Sequence, residues 1–398
     1  MLLKLRNLNY VKNSLSRFNI TNQVNRNYHL KHFISDSKES AVESSLKSLY
    51  EKTKGENYNF GYLLIGSGYS QSELERIPKL LDSLLPNIPF QVGLVAEKIG
   101  FGTNSKGIRL IAGKKESTDR IGAYPFYFHS PDAKKWLTSN DDRSQPKWDR
   151  SDDVLKSVSQ PTNHVALPQE FIDIGKQYEP GSTLLLGTDG HPDQYLEAIS
   201  NSLPHLKIVG LSGGPTPFIN GKATSLIYNG KVNEEGIIGV ILPPSANIST
   251  KLVYPNIQTL GEPLTITKAR GNIILEMNES NATQHLLKSL QTTNIPSSQY
   301  KHIDFFLGLL PKDCTESPQD ISIYRIQSGS PTKGTMAIDT IRDIELDQKI
   351  LLSWMVPSKE FEMYTGSNVT SENGIVYSTK PYFTKICLPG TRVEFDFN

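Results

Sequence analysis

Tyr62-Leu63-Leu64-Ile65-Gly66-Ser67-Gly68 is the stretch whose reading decides the fold. A short apolar run breaks at a Gly-x-Gly turn, as a buried strand does where the chain must bend sharply. Ser70 and Glu73 then stand three apart, the spacing of a capping box at a helix start. Leu74, Ile77, Leu80, Leu81, Leu84 and Leu85 follow at helical intervals, and Pro86 cannot easily continue the helix. Phe90 to Val95 supplies the next strand, which completes a β-α-β unit. Upstream, Val42, Leu46, Leu49 and Tyr50 mark one side of a helix over about 40–53.

The same grammar returns downstream. Leu184-Leu185-Leu186-Gly187 mirrors Leu63-Leu64-Ile65-Gly66, and Thr188-Asp189-Gly190 makes the turn. Pro192 suits a first helical position, Leu196, Ile199 and Leu203 line the helix, and Lys207 to Leu211 form the closing strand. Val92-Gly93-Leu94 and Val209-Gly210-Leu211 occupy equivalent places, and the Gly66–Gly93 and Gly187–Gly210 spacings of 27 and 23 residues differ little. A repeated β-α-β element inside one larger α/β domain is the reading.

Between the units, Ile108 to Ile111 and Ala123 to Phe128 read as strands, and the polar stretch 130–168 reads as a long insertion. Trp136 and Trp148 within it either anchor a partner or pack back on the parent domain. After the second unit, Ala223 to Tyr228 and Gly236 to Leu242 read as strands joined by an Asn229-Gly230 turn. Ser245 to Thr250 is the expected divide. Beyond it come strands at Pro263 to Lys268, Asn272 to Met277, 303–309, 321–326, 335–341 and 349–356, with a helix near 281–291 and a turn-rich β extension over the last 40 residues. The expected fold class is α/β (α+β): layered sheets flanked by helices, with repeated β-α-β units and an antiparallel-rich C-terminal half.

Composition narrows the function. Hydrophobic residues at 37% and charged residues at 21% suit a globular body able to bury a core. The charge is uneven. Lys4, Arg6, Lys12, Arg17 and Arg26 precede the first acid, Asp36. Without residues 1–28 the chain keeps 37 basic residues against 41 acidic ones, a formal charge of −4. Such a body argues against a nucleic-acid binder, which needs a basic face. No apolar run reaches the roughly 18 residues of a spanning helix. Leu2, Leu5, Leu8, Val11, Leu15 and Phe18 line one face of a basic, acid-free helix, the composition of a mitochondrial transit peptide, with Arg26-Asn27-Tyr28 as the expected processing site. This predicts a matrix protein that meets the import and processing machinery, with His29 and His32 in a mobile mature terminus.

These segments, in this order, resemble the FIST family (F-box and intracellular signal transduction proteins). Leu184 to Asp189 and Ile208-Val209-Gly210-Leu211-Ser212-Gly213-Gly214 look like the end of its N-terminal region, continued by Tyr228 to Val232 and Gly236 to Val240. Gly261 to Ala269 and Asn272 to Met277 look like the start of its C-terminal region; Phe305 to Gly308, Tyr324-Arg325-Ile326 and Ile341-Arg342 fit its later strands. The resemblance covers about 40–355 and divides the chain into a leader over 1–28, an N-terminal FIST-like domain over 29–248 and a C-terminal one over 249–398. Two departures stand out. Val209-Gly210-Leu211 replaces the family's Val-Gly-Gly, and the Cys- and Gly-rich segments that close many bacterial members are absent after 355. The resemblance implies sensing of a small ligand such as an amino acid, or an adaptor role, and it supplies no catalytic residues.

Individual residues fit that reading. Gly210-Leu211-Ser212-Gly213-Gly214 matches G-x-S-x-G, but Pro215 and Pro217 follow where a hydrolase elbow needs a helix. Gly66-Ser67-Gly68 opens a helix without the third glycine of a dinucleotide fingerprint or the lysine of a P-loop. Its free N–H groups suit a phosphate or carboxylate, whereas Asp189 suits an ammonium group. The paired turns form the expected ligand mouth: Ser67, Gly68, Asp189, Gly190, Ser212 and Gly213. The eight histidines are scattered, Cys314 and Cys387 stand 73 apart, and no cofactor or metal is implied. His191-Pro192-Asp193 reads as a helix cap, and Arg325 and Arg342 as pairing with acids such as Asp339. The expected function is a non-catalytic ligand-sensing or scaffold protein, docking on a mitochondrial protein complex. Its rival is an enzyme acting on a small metabolite at the paired turns.

Overall fold

The computed structural model describes residues 28–35, 41–96, 106–115, 121–129, 165–189, 192–214, 216, 224–253, 257–293, 300, 303–310, 321–340, 343–355, 368–370, 375–378, 384–386 and 392–397. From Tyr28 the order is β1 (Tyr28–Ile34), α1 (Val42–Thr53), β2 (Phe60–Gly66), α2 (Gln71–Leu84), β3 (Gln91–Ala96) and β4 (Ile108–Lys115). The succession repeats as β5 (Tyr124–Phe128), α3 (Gln169–Gly175), β6 (Thr183–Thr188), α4 (Asp193–Ser202) and β7 (Lys207–Ser212). A hairpin, β8 (Leu226–Tyr228) and β9 (Lys231–Asn233), intervenes before β10 (Ile237–Leu242) closes the second repeat.

Each repeat builds one sheet. The strand orders are β1-β4-β2-β3 and β5-β10-β6-β7. In each, only the pair joined through a helix is parallel, β2 with β3 and β6 with β7. The other pairs are antiparallel.

Strand alternation then fixes the layers. Tyr62, Leu64, Val92, Leu94 and Ile111 meet Leu185, Val209, Leu211, Ile238 and Val240 in one core between the sheets. Leu63, Ile65, Leu110 and Val95 face the other way, onto Leu46 and Leu49 of α1 and Leu74, Ile77 and Leu81 of α2. Leu184, Leu186, Ile208 and Ile241 do the same onto Phe171 of α3 and Tyr195, Leu196 and Ile199 of α4. The result is four layers, helix–sheet–sheet–helix. Each fully buried aliphatic chain contributes about 1.5–3 kcal/mol, so three contiguous apolar layers outweigh any single polar contact.

The registers refine the repeat. Gly93 pairs with Leu63, and Gly210 pairs with Leu186. Leu63 therefore corresponds to Leu186, not Leu184, and Gly66 corresponds to Asp189, not Gly187. A two-residue offset keeps every side chain on its own face, so apolar pattern alone could not expose it.

Other expectations change as well. His29 and His32 lie in β1, all seven residues of which pair with β4. The reason is alternation in Tyr28-His29-Leu30-Lys31-His32-Phe33-Ile34: Tyr28 is 3% exposed and stacks on Phe60. Asn229-Gly230 joins β8 to β9, because both residues adopt positive φ (43° and 71°) as a two-residue hairpin turn requires; β10 goes instead to the second sheet. Helix α3, which the sequence reading did not mark, precedes β6, and Pro78 lies inside α2. The capping box at Ser70 and Glu73 is present. Residues 130–164 of the expected insertion 130–168, with Trp136 and Trp148, and both cysteines lie outside the described residues, as do residues 1–27 of the expected leader 1–28, His191 and Arg342.

At the expected divide, a 3-10 turn (Pro244–Ala246) inserts Ala246 into the inter-sheet core and leads to β11 (Ile248–Val253) and β12 (Ile257–Thr259). Next come β13 (Leu264–Arg270), β14 (Ile273–Met277), β15 (Ser280–Asn281), α5 (Ala282–Gln291), β16 (Phe305–Leu309), β17 (Ser322–Ser330), β18 (Thr335–Ile338) and β19 (Lys349–Met355). The ring β13-β14-β18-β17-β16-β19 returns to β13 entirely through antiparallel pairs, making a barrel. Ala282, Leu286 and Leu290 of α5 pack with Ile266, Ile274, Leu307, Tyr324, Met336 and Leu352 inside it. Phe306 and Ile323 point outward into the inter-sheet core and dock the barrel there.

The last strands are β20 (Asn368–Thr370), β21 (Ile375–Ser378), β22 (Thr384–Ile386) and β23 (Arg392–Phe397). They are not peripheral. β21 pairs with β7, β22 with β21 and β17, and β23 with β11 and β20. The mixed α/β class holds, with an antiparallel-rich C-terminal half in which β17 and β22 are parallel.

Candidate functional site

The carboxyl ends of the parallel strands meet at one edge of the double layer. Gly213, directly after β7, donates its N–H to the Thr188 carbonyl at 2.7 Å, and Gly214 donates to the Val95 carbonyl at 2.8 Å. Two successive residues thus tie the end of β6 in one sheet to the end of β3 in the other. A Cβ on Gly213 would stand 3.2 Å from the Thr188 oxygen and 3.5 Å from the Val95 oxygen, so a side chain there would be a tight fit. In open α/β sheets, ligands enter at the carboxyl ends of strands.

Thr188, Ser212, Thr216, Thr224 and Ser225 are all buried at this edge. The Thr188 hydroxyl donates to the Asp189 carbonyl at 2.8 Å, and its oxygen stands 3.4 Å from Ser212 Oγ. The Thr216 and Ser225 hydroxyls are 2.9 Å apart. Ser212 lies beyond Leu211, so alternation turns it toward the α4 side, away from the inter-sheet core. Gly213 and Gly214 follow it as extended chain bonded to both sheets, which is not the strand-to-helix elbow of a hydrolase.

Asp189, 9% exposed, directly follows β6. Its N–H donates to the Gly236 carbonyl at 3.1 Å, and its Oδ2 accepts the Gly236 N–H at 2.8 Å. Tyr127 lies close by: burial first, then Glu235 and Asp189, raise its hydroxyl above the usual tyrosine range. His129 Nδ1 is 3.8 Å from Glu235. The expected mouth is therefore brought together in part. Asp189, Ser212 and Gly213 adjoin Thr188, Ser67 and Gly68 form the turn after β2, and Gly190 lies outside the described residues.

The first repeat repeats this rung without the carboxylate. Gly66 donates its N–H to the Gly107 carbonyl at 2.9 Å, as Asp189 does to Gly236. Gly107 and Gly236 both hold positive φ, 141° and 105°, one residue before β4 and β10.

Sequence reasoning passed over three residues here. Arg109, second in β4, is 0% exposed and the largest fully buried side chain. Alternation with Leu110 and Ile111 turns it inward, one pair from the shared edge, opposite Leu64. Burial pulls its guanidinium down to about 10, so it remains a cation at neutral pH. Burial, then the Arg109 charge, pushes His32 down to about 4. Tyr62 is buried, its hydroxyl meets no hydrogen-bond partner among the described residues, and burial pushes its ionisation far above the usual tyrosine range. The absent side chain of Gly187 makes room for it: a Cβ there would stand 3.2 Å from Tyr62 Oη. The signal for Arg109 was one charge inside the apolar run Ile108 to Ile111.

Elsewhere, Arg325 pairs with Asp304 at 2.5 Å, while Asp339 accepts from Gln327. No helix among the described residues is long and apolar enough to cross a membrane. The model of the FIST N domain matches residues 63–280, more than half of the chain, from within β2 to β15. No curated protein matches it.

Proposed function

This chain belongs to the FIST family, and on that premise we propose that it is a non-catalytic sensor whose small ligand enters at the shared carboxyl edge. FIST domains generally sense small ligands, so membership supports a sensing or scaffold role. The observation that carries the reading is the meeting of both repeats at Gly213 and Gly214. A site made at the junction of two sheets can report occupancy by altering how the sheets sit together. The polar groups there bond to backbone or to each other, which suits holding a ligand rather than activating a nucleophile.

The test is thermal unfolding of residues 29–398, and of the same chain beginning at Tyr28, against amino acids, nucleotides and matrix metabolites. A ligand at about 100 times its Kd adds about 2.7 kcal/mol, a visible shift. A flat panel sinks the sensing reading and leaves the scaffold.

The proposal extends to location. Residues 1–28 deliver the protein to the mitochondrial matrix through the import and processing machinery, where it docks on a protein complex. The basic, acid-free leader supports this. An import assay without shortening or protection from protease would remove it. Because Tyr28 is buried in β1, sequencing the mature N-terminus also decides whether that residue is retained.

A further inference from the structure

The second repeat shows what the first one lacks. In the second, the Gly236 N–H is met by the Asp189 carboxylate at 2.8 Å. In the first, Gly66 stands where Asp189 stands and has no side chain, while its backbone makes the same bond to Gly107. Gly107 is buried, and among the described residues its N–H meets no acceptor. A buried N–H without a partner is costly and rare. Two residues on, second in β4, lies the buried Arg109, and the Ser67-Gly68 turn follows Gly66 directly.

We propose that the Gly107 N–H anchors a carboxylate-recognition subsite, which the carboxylate of a small ligand fills as Asp189 fills its counterpart. The subsite deepens the sensing reading and rests on it. The ligand class is a small carboxylate, not a phosphate: the pattern copied is one carboxylate oxygen on one N–H. Arg109 adds positive potential on the same face, which favours an anion over a neutral amide.

Substitution Gly66→Asp places the second repeat's own carboxylate in the first. Gly66 is not among the positive-φ residues, so its backbone admits an L side chain. The full chain, labelled with nitrogen-15, is titrated with acetate, glycine and acetamide while the Gly107 amide resonance is followed. Acetate and glycine should move it saturably, and acetamide should not. In Gly66→Asp both affinities should fall by about tenfold to a hundredfold, the worth of one charge-assisted hydrogen bond. The subsite is overturned if Gly107 ignores both carboxylates, if acetamide binds as they do, or if Gly66→Asp retains their affinity. Should the variant not fold, the wild-type comparison with acetamide decides alone. The sensing reading fails separately. A metabolite that shifts unfolding of wild type and Gly66→Asp equally, without moving Gly107, removes the subsite and leaves the sensor. If nothing binds, both fall.

Discussion

The two repeats share element order, strand directions and even the positive-φ glycine before their last strand, yet they differ at three points. The first has Gly66 at the end of β2, and the second has Asp189 at the matching position, directly after β6. The first has His32 on the inner face beside the buried Arg109; the residue paired correspondingly in the second is Pro125, opposite Val240. The first is flanked by β8, which comes from the middle of the chain, whereas the second is flanked by β21 from near its end. What the repeats share is packing; what separates them is polar chemistry. That chemistry gathers toward the shared edge, as expected where binding rather than stability selects residues.

The harshest way to break the comparison is to load the paired glycines. A Cβ on Gly210 would stand 2.4 Å from Leu186 Cδ1 and 2.6 Å from the Leu186 oxygen, and one on Gly93 only 3.0 Å from its Leu63 partner's Cβ. Gly210→Ala should cost about 3 kcal/mol and Gly93→Ala about 1, in urea unfolding. Equal losses would mean the repeats relax alike.

Acid should separate them next. His32 is neutral in the fold because burial and Arg109 hold it near 4, against an ordinary 6.5. The unfolded chain therefore binds the extra proton first, and stability falls as pH drops from about 6.5 to about 4. The full shift would be worth about 3 kcal/mol; partial exposure reduces this to about 2. His32→Gln should flatten that stretch of the stability–pH curve, and hydrogen exchange at pH 5 should loosen β1 and β4 before β5 and β10.

Asp189→Ala should cost about 1.5 kcal/mol, since it strands a buried Gly236 N–H, while Asp189→Asn should recover most of it. An unchanged Tm in Asp189→Ala would deny the carboxylate its place in the rung. The smallest effect concerns Glu73, whose oxygens accept from Ser70 N–H and hydroxyl and from the first N–H of α1 at Val42. Burial draws its carboxyl up, but these bonds outweigh it and hold it below 4.5. Its contribution is present above that value and lost as pH falls through the lower folded value. Glu73→Gln should cost about 1 kcal/mol near neutrality and nothing in acid.

The repeat was legible because its carriers are local: Leu63 to Ile65, the capping box and the glycines of β3 and β7. Its true register was not, since a slip of two residues preserves every facing. β1 hid behind a basic N-terminal stretch, although Tyr28 to Ile34 alternates. The barrel's strands were readable one by one, but its closure depends on β19 pairing with both β13 and β16, which no local pattern encodes. Within the candidate site, Ser212 and Asp189 could be named by residue type, whereas Gly107 and Gly236 enter through backbone groups that a sequence does not display. Arg109 was visible as an oddity and became informative only once its burial was known.

The place of β21 bears on how the molecule is made. The first sheet has all its strands once Asn233 has been synthesised, but the second cannot cover β7 until residues 375–378 emerge. A chain that appears N-terminus first, from a ribosome or a translocation pore, must hold that strand edge open for more than 160 residues of further growth. Such long-range closure slows folding, and an uncovered edge invites pairing with other chains. The late strand β21 therefore makes completion of the second sheet a checkpoint on having received the chain as far as residue 378.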